Sequence, residues 1–397
     1  MNVYVRELSA ALARWGVECE VFTRTESVDS PPVVDVEPGF RVHHVPAGPR
    51  APVPKERLPE LVDAWTRGVG ARIDSLATSG CQVDAIHANY WLSGIAGHAL
   101  KHQYDLPLLV TFHTLDRVKA DVSPEEIWSE ELARRAEAEA VVVGCADAVV
   151  ASCSVEAQQL VQLYGADPDR IVIVAPGVDH AFFSPGEQSQ ARRALGLEPE
   201  KPMVLFAGRI QPLKGLTVAV DALAAVRREA AAVRLSGASL TVLGGPSGPH
   251  GEEEVSEVRR RIHEQGLQGA VSLLPPQRHE ILSTFYRAAD VCVVPSHSES
   301  FGLVALEASA CGIPVVASAV GGLTTLVDHG RTGFLVEGRA AEDYAGPLAV
   351  LLADPALARQ LGKAGSQRAS AYTWRAAASA LWARVDELTS AVLVACG

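Results

Sequence analysis

The sequence predicts an α/β protein made of two doubly wound domains that face a central cleft. The chain has 397 residues, more than one hydrophobic core usually serves, so two domains are expected. Apolar residues make up 48% of the chain and charged residues 21%, which is the balance of a folded globular protein. Short apolar runs alternate with longer amphipathic stretches, and this alternation is typical of parallel sheets covered by helices.

The predicted strands recur in both halves of the chain. In the first half they are Cys19–Phe22, Arg41–Val45, Ala85–Ala88, Leu108–Phe112, Ala148–Ser152 and Ile171–Val174. In the second half they are Met203–Ala207, Leu240–Leu243, Val271–Leu274, Val291–Val294 and Pro314–Ala317. A polar, proline-bounded stretch from Ser184 to Pro202 separates the two sets. We expect an N-terminal domain over 1–184 and a C-terminal domain over 185–397, with the last helix packing back on the first domain.

The start of the chain departs from the doubly wound pattern. Such a domain ordinarily opens with a strand and a glycine-rich turn, whereas Met1 leads directly into an amphipathic helix that closes at Gly16. We therefore expect that the first βα unit is missing and that the natural gene product, or its ancestor, begins upstream of Met1. Loss of a central strand would leave its neighbours' edges unpaired, so we expect the chain as given to be impaired.

Charge and cysteine content exclude several classes of function. The formal net charge of -12 argues against a nucleic-acid partner, which needs a basic surface. The seven cysteines are scattered and contain no C-x-x-C pair, which argues against a disulfide framework or a zinc knuckle and fits a reducing cytoplasm. No run approaches the ~20 apolar residues of a membrane span, so we expect a cytoplasmic protein without a transmembrane segment.

The first motif that carries chemistry follows the predicted strand Met203–Ala207. Arg209 and Lys214 lie on the connecting loop, just before a predicted helix. Two cations at the carboxyl end of a strand beside a helix N-terminus favour a diphosphate. On position alone, a pair of solvated loop charges is equally compatible. Gly208 and Gly215 favour the diphosphate site because they let a ligand approach the backbone.

The second motif follows the predicted strand Val291–Val294. Glu299 lies at the entrance of a helix and Glu307 two turns inside it, so both carboxylates can point into one cleft and accept hydrogen bonds from sugar hydroxyls. The free backbone N–H groups of Phe301, Gly302 and Leu303 can hold a phosphate or a sugar oxygen. Two acids at this spacing are more often a capping residue and a surface residue, but the flanking Ser-x-Ser-Phe-Gly-Leu makes the motif specific.

Weaker signals surround these motifs. The Gly-Pro cluster that contains Gly245, and the pair Gly321-Gly322, each resemble ordinary turns. In the first half, His87 and His113 follow neighbouring strands, but they lack metal-ligand spacing and a third ligand, so no metal site is predicted. Neither a nucleophile elbow nor a P-loop motif is present.

Together these segments resemble glycosyltransferase family 4, the retaining enzymes of the GT-B fold, from Met1 to about Trp382. Within the family the resemblance is to the subfamily of mycothiol biosynthesis that glycosylates an inositol phosphate. The segments that carry it run over residues 1–5, 89–94, 113–115, 208–215, 244–249 and 299–304. Close relatives carry an arginine where Gln277 stands here and a histidine where Asn89 stands, and the first strand with its Gly-Gly turn is absent.

The resemblance implies a role for each candidate site residue. Arg209 and Lys214 would hold the donor diphosphate, Glu299 the donor sugar and Glu307 the ribose, while His113 would lie beside the reacting carbon; His113, Arg209, Lys214 and Glu299 are thus the expected catalytic residues. The further expected donor contacts are Asn2, Gly245, Phe301, Gly302 and Leu303. The expected contacts to an acceptor phosphate are Lys55, Tyr90, Thr114 and Arg134.

The implied reaction is transfer of N-acetylglucosamine from UDP to 1D-myo-inositol 3-phosphate with retention of configuration. The leaving diphosphate would take the proton from the acceptor hydroxyl in a front-face substitution, so neither an enzyme nucleophile, a metal nor a cofactor is expected. The alternatives are another acceptor, as in sucrose-phosphate synthase or a phosphatidylinositol glycosyltransferase, and a non-catalytic nucleotide-sugar-binding protein. The oligomeric state stays open, a homodimer included.

Overall fold

A computed structural model of the chain describes residues 2–122, 130–228 and 233–395. The chain divides into two compact units. Unit 1 combines Met1–Gly177 with the C-terminal segment Trp374–Gly397, and unit 2 is the continuous segment Val178–Thr373. In the order of the chain, unit 2 therefore lies between the two segments of unit 1.

In unit 1, the residues that the structure describes form two separate sheets. The first has the order β1-β3-β2, with β3 parallel to β1 and antiparallel to β2. The second is parallel and has the order β4-β5-β6-β7. Within the described residues no strand ladder joins β1 to β4, although Phe22 and Ile86 from these strands contact one apolar cluster. The strands are β1 Cys19–Arg24, β2 Val33–Glu37, β3 Phe40–Val45, β4 Ile86–Asn89, β5 Leu108–Thr111, β6 Ala148–Ala151 and β7 Ile171–Ile173.

The helices of unit 1 follow the amphipathic stretches of the sequence. The opening helix begins at Asn2 and ends before Gly16, whose φ of 90° is the left-handed conformation expected of a glycine at a helix end. The last helix of the chain packs on the opening one, where the rings of Tyr4 and Trp374 are 5.7 Å apart. The helices are α1 Asn2–Ala13, α2 Val62–Thr78, α3 Trp91–Tyr104, α4 Asp116–Val122, α5 Glu130–Cys145, α6 Ser154–Tyr164 and, after unit 2, α16 Trp374–Thr389.

The described residues of unit 2 form a doubly wound domain with one six-stranded parallel sheet. Its order is β10-β9-β8-β11-β12-β13, so the direction of winding reverses between β8 and β11. Ligands of such sheets bind at this switch point, beyond the carboxyl ends of the strands. The strands are β8 Met203–Ala207, β9 Ser239–Leu243, β10 Val271–Leu274, β11 Val291–Val294, β12 Val315–Ser318 and β13 Gly333–Val336.

Helices cover both faces of the unit 2 sheet. Leu216, Val220 and Leu223 of α8 are buried in the main core of this unit, together with Val204 and Phe206 from β8. The helices are α7 Gln188–Ala194, α8 Leu216–Arg228, α9 Val233–Ser236, α10 Gly251–Glu264, α11 His279–Ala288, α12 Leu303–Ala310, α13 Leu323–Leu326, α14 Ala341–Ala353 and α15 Pro355–Ala369.

Each predicted strand overlaps an observed one, but two strands were not predicted. Strand β2 alternates apolar and acidic residues and lies at the edge of its sheet, and β13 is a short strand that begins with a glycine. Among the described cysteines, Cys145 is disulfide-bonded, and the scattered cysteines in the sequence did not indicate this bond. No helix in the described ranges is both long and apolar enough to cross a membrane.

Candidate active site

The loop after β8 presents the two cations that the sequence singled out. Arg209 is exposed, and Lys214 ends a short 3-10 helix over Pro212–Lys214. Gly215 follows with a φ of 65°, and a Cβ there would lie 2.2 Å from the carbonyl oxygen of Pro295. Only glycine fits this close approach, which holds the loop after β8 against the loop after β11.

Lys214 and Glu299 form an ion pair across these two loops. Lys214 Nζ lies 2.5 Å from Glu299 Oε2, and each side chain keeps about a fifth of its surface exposed. The Ser296 hydroxyl donates a further hydrogen bond of 3.4 Å to the same carboxylate oxygen. The pair holds a cation and a carboxylate side by side at the switch point of the sheet, where ligands of such folds bind.

The N-terminus of α12 supplies backbone donors to the same edge of the sheet. Gly302, with a φ of 104°, precedes the helix and makes no side-chain cap. The first N–H groups of a helix have no partner within it, so those of Leu303 and the following residues are available to an anion or a sugar oxygen. Phe301 is buried and packs its ring 5.9 Å from that of Tyr372, which anchors the turn.

Glycines let two more loops approach this site. A Cβ on Gly321 would lie 1.8 Å from the Glu299 carbonyl oxygen, and Gly322 N donates a hydrogen bond of 3.1 Å to that oxygen. After β9, Gly245 accepts a hydrogen bond of 2.8 Å from the backbone N–H of Ile210, next to Arg209. The pair Gly321-Gly322, which looks like an ordinary turn in the sequence, thus helps to position Glu299.

Glu307 lies deeper, on the second turn of α12. Its Oε2 accepts a hydrogen bond of 2.9 Å from the Tyr286 hydroxyl. Burial raises the pKa of Glu307 from 4.5 to about 7, and the Tyr286 hydrogen bond limits the rise. A carboxyl group with this pKa changes charge near neutrality, so a ligand that donates hydrogen bonds to it would favour the ionised form.

In unit 1, the register of β4 and β5 brings the two predicted histidine motifs together. Asn89 and Thr111 are partners in the ladder, so Tyr90 and His113 leave neighbouring strand ends. Both adopt positive φ angles, 85° for Tyr90 and 62° for His113. Such conformations are costly for residues other than glycine and concentrate at functional sites.

His113 is held as a neutral imidazole. Burial lowers its pKa from 6.5 to about 3. Its Nε2 lies 2.9 Å from Asn89 Oδ1, while Asn89 Nδ2 donates to the carbonyl of His87. Because Oδ1 is then the acceptor, His113 Nε2 carries the proton, and its ring packs edge-on against Tyr4 at 4.8 Å.

Arg135, the neighbour of the predicted acceptor contact Arg134, packs against two of the other predicted acceptor residues, Tyr90 and Thr114. Arg135 is buried and donates hydrogen bonds of 2.7 and 3.2 Å to the carbonyl and hydroxyl oxygens of Thr114. Its guanidinium also lies 5.2 Å from the centre of the Tyr90 ring. Arg134 is exposed. Thr114, Tyr90 and Arg135 therefore form a contiguous group, which we name the Arg135 cluster.

Two acidic side chains hold Arg135 in place. Arg135 Nε donates a 2.7 Å hydrogen bond to Glu139, which is fully buried, and lies 3.7 Å from Asp116 Oδ1. Burial and, to a lesser extent, repulsion from Arg135 lower the pKa of Lys119 to about 8. Lys55 is exposed at the start of a short 3-10 helix and contributes a smaller repulsion to Lys119. Lys119 is thus a cation of this region that the sequence did not single out.

The remaining predicted donor contact, Asn2, lies exposed at the first turn of α1 in unit 1. The structure therefore groups the predicted donor residues in unit 2, apart from Asn2, and the predicted acceptor residues in unit 1. Sequence reasoning did not single out Arg135, Lys119 or Tyr286, and it interpreted the pair Gly321-Gly322 as an ordinary turn. The i,i+4 spacing of Arg135 and Glu139 was the one signal in the sequence that favoured Arg135 over its neighbour.

Family models match both units. The model described as "Glycosyltransferase Family 4" matches residues 1–182, and the one described as "Glycosyl transferases group 1" matches residues 187–368. A curated relative from Xylanimonas cellulosilytica, named D-inositol 3-phosphate glycosyltransferase, is 46% identical over 96% of this chain and 90% of its own length. A relative of the same name from Acidothermus cellulolyticus is 44% identical over 94% of this chain and 82% of its own length.

Solved structures agree with the fold. Sucrose-phosphate synthase from Thermosynechococcus elongatus superposes with a TM-score of 0.89 at 34% identity, covering 98% of this chain and 94% of its own. The Anabaena protein HepE in complex with UDP-glucose has a TM-score of 0.69 at 21% identity, covering 88% and 86%. The family models span both units, and the relatives are similar along nearly the whole chain. This protein is therefore a glycosyltransferase and belongs to glycosyltransferase family 4.

Proposed function

We propose that this enzyme transfers N-acetylglucosamine from UDP-N-acetylglucosamine to 1D-myo-inositol 3-phosphate with retention of configuration, the cytoplasmic reaction of mycothiol biosynthesis. The observation that carries the proposal is the Arg135 cluster, whose buried guanidinium is bonded to Thr114 and stacked near Tyr90. Charge-assisted hydrogen bonds of this kind suit a phosphate. Lys119 and Lys55 add positive charge nearby. The names of the curated relatives support the same acceptor.

Unit 2 is proposed to bind the donor. Arg209 and Lys214 would neutralise the diphosphate, and the N-terminus of α12 would add backbone donors. Glu299, held by Lys214, would accept hydrogen bonds from the sugar, and Glu307 from the ribose hydroxyls. The UDP and UDP-glucose complexes of HepE support a nucleotide-sugar donor.

The proposed chemistry is a front-face substitution. The acceptor oxygen forms a bond to the anomeric carbon on the face from which the diphosphate leaves, and the acceptor proton passes to the departing diphosphate oxygen. Arg209 and Lys214 would stabilise the charge that develops on that oxygen, which is the usual source of most of the rate enhancement. His113 is neutral and would offer hydrogen bonding beside the reacting carbon without a charge of its own.

A UDP-release assay over a matrix of donors and acceptors tests the proposal. We expect the highest kcat/KM with UDP-N-acetylglucosamine and inositol 3-phosphate, and a far lower value with unphosphorylated inositol. Lys55→Ala should raise KM for the phosphorylated acceptor, while Arg57→Ala, an exposed cation on the same short helix, should not. Equal rates with inositol and its phosphate, or saturation by neither, would contradict the proposed acceptor.

A second candidate function is sucrose-phosphate synthesis, which the 0.89 TM-score to that enzyme favours. It also needs a phosphate-binding group on the acceptor side, so the Arg135 cluster alone does not distinguish the two. The same assay does, because formation of sucrose phosphate requires a hexose phosphate acceptor. A higher kcat/KM with that acceptor than with inositol 3-phosphate would select this alternative.

A further inference from the structure

Two histidines and a cysteine converge in unit 1. His98 and His102 lie one helical turn apart on α3, with their Nε2 atoms 3.1 Å from each other. Cys145, the last residue of α5, places its Sγ 3.3 Å from His98 Nε2. All three atoms that can bind a metal lie within 4.8 Å of one another. We name this group the His98 cluster.

The packing of α3 on α5 fixes this geometry. Gly94 lies one turn before His98, and a Cβ there would come within 2.9 Å of a Val142 methyl group, so the two helices pack closely. Lys101, almost fully buried, donates a 2.9 Å hydrogen bond to the carbonyl oxygen of Cys145 and pairs with Asp147 at 2.8 Å. Lys101 therefore holds the helix face that carries both histidines against the end of α5.

We propose that His98, His102 and the reduced thiol of Cys145 bind a zinc ion. Two imidazole nitrogens and one thiolate are a donor set that zinc prefers, and the exposed face of His102 leaves a fourth tetrahedral position to water. Histidine pairs spaced i,i+4 present both rings on one side of a helix, as metal ligation requires.

The site has two chemical states because Cys145 is disulfide-bonded in this structure. A dithiol reductant adds two electrons and two protons to that disulfide, leaves two thiols and is itself oxidised to a disulfide. Zinc then displaces the thiol proton of Cys145 and binds the thiolate. Zinc binding is thus linked to the reduced state and absent from the oxidised one.

The His98 cluster is separate from the proposed acceptor site, although one helix carries both. Tyr90 precedes α3, and His98 follows it by eight residues, or about 12 Å along the helix axis. The ion would join the second half of α3 to the end of α5. Its expected effect is on stability, and the activity proposed above plays no part in the inference.

Metal binding to the full-length protein tests the inference. Protein reduced with a phosphine and freed of metal is titrated with zinc against a colorimetric chelator, and then with Co2+ in the spectrophotometer. We expect a single zinc ion per chain, a thiolate-to-Co2+ charge-transfer band, and a higher melting temperature with zinc. Protein left oxidised should show none of these.

Matched variants decide between a built site and adventitious binding. Cys145→Ser should abolish the charge-transfer band, and His102→Ala should weaken zinc binding by more than the ~10–100-fold typical of losing a supporting group. His263→Ala, a histidine on the surface of α10, and Cys81→Ser should change neither. Absence of zinc binding by the reduced protein, or undiminished affinity in Cys145→Ser, overturns the inference. If Cys145→Ser does not fold, undiminished affinity in His102→Ala overturns it, because His102 is exposed.

Discussion

The two units position their candidate site residues in different ways. In unit 1, Arg135 is fixed by buried side chains, through hydrogen bonds to Thr114 and to the fully buried Glu139. In unit 2, close backbone contacts position the site residues. Gly215 and Gly321 permit contacts to carbonyl oxygens that any Cβ would block, and Lys214 and Glu299 remain partly exposed.

Because of this difference, removing a charged side chain in unit 2 should affect ligand binding without affecting stability. In unit 1 the same kind of substitution should affect both. A partly exposed charge can be removed at little cost to folding, because surface ion pairs contribute about 0–1 kcal/mol. A buried charge cannot be removed without leaving its partner unpaired in a low-dielectric environment. Side-chain substitutions in unit 2 should therefore reduce activity in a folded protein, whereas those in unit 1 should also reduce the free energy of unfolding.

The largest expected effect is on the stability of unit 1. Arg135→Ala would leave Glu139 buried without its cation, and we expect the free energy of unfolding to fall by about 3–5 kcal/mol. Arg134→Ala, next to it but exposed, should cost less than about 0.5 kcal/mol. Urea unfolding at neutral pH measures both, and equal losses in the two variants would contradict the assignment of Arg135 as the buried member.

In unit 2 the substitution of a cation should affect turnover and spare the fold. We expect Arg209→Ala and Lys214→Ala each to reduce kcat/KM roughly a hundredfold or more, which is a loss of about 3 kcal/mol of transition-state stabilisation. The free energy of unfolding should change by less than about 1 kcal/mol. Lys201→Ala, a lysine outside the site on the same unit, is the control. Wild-type rates at saturating donor in both variants would show that neither residue holds the diphosphate.

Substitution of a glycine that positions Glu299 should lower both the stability and the donor affinity of unit 2, as expected for substitutions in unit 1. Gly321→Ala places a Cβ 1.8 Å from the Glu299 carbonyl oxygen, whereas Gly330→Ala, also at positive φ, meets no atom within 4 Å. Both variants bear the cost of a left-handed residue, so their difference measures the close approach, on the order of 2 kcal/mol. Chemical unfolding and donor KM are the measurements, and identical values for the two variants would exclude a positioning role for Gly321.

The smallest expected effects concern pH, and they have opposite signs in the two units. The pKa of Glu307 is raised to about 7, so unit 2 is stabilised below pH 4.5 and loses this contribution as pH rises towards 7. The pKa values of His87 and His113 are lowered by burial to about 4 and 3, so their contribution is present above pH 6.5 and is lost as pH falls.

From pH 7.5 to pH 5.5 we expect unit 2 to gain about 2 kcal/mol from Glu307 and unit 1 to lose about 1 kcal/mol for each histidine. Hydrogen exchange read by mass spectrometry, corrected for the intrinsic rate at each pH, reports the two units separately. Glu307→Gln should remove the gain in unit 2 and leave unit 1 unchanged. A gain in unit 2 that persists in Glu307→Gln would rule out this carboxyl group as its source.

Much of the fold could be predicted because buried parallel strands are continuous apolar runs. Strands such as Val291–Val294 have this pattern, whereas β2 alternates valine with acids at a sheet edge and therefore lacks it. The motif around Arg209 and Lys214 was equally visible, because its glycines and cations are close in sequence. These features depend on local sequence alone.

The rest depended on contacts between residues far apart in the chain. Arg134 and Arg135 are chemically identical neighbours, and only the rotation of α5 against Thr114 decides which of them is buried. Gly321 looks like a turn residue until the Glu299 carbonyl is placed against it. The convergence of His98 and Cys145 likewise needs the packing of α3 on α5, which no local pattern encodes.

The return of α16 to unit 1 has a consequence for the order in which the protein folds during synthesis. Trp374, Ala378 and Leu381 of this helix share a core with Tyr4 and Leu8 of α1, so that core lacks part of its apolar surface until α16 has left the ribosome. Unit 2 is continuous and is fully synthesised before α16. Domains usually fold in the order of their synthesis. Here unit 2 can complete its core before α16, which belongs to the core of unit 1, has been synthesised.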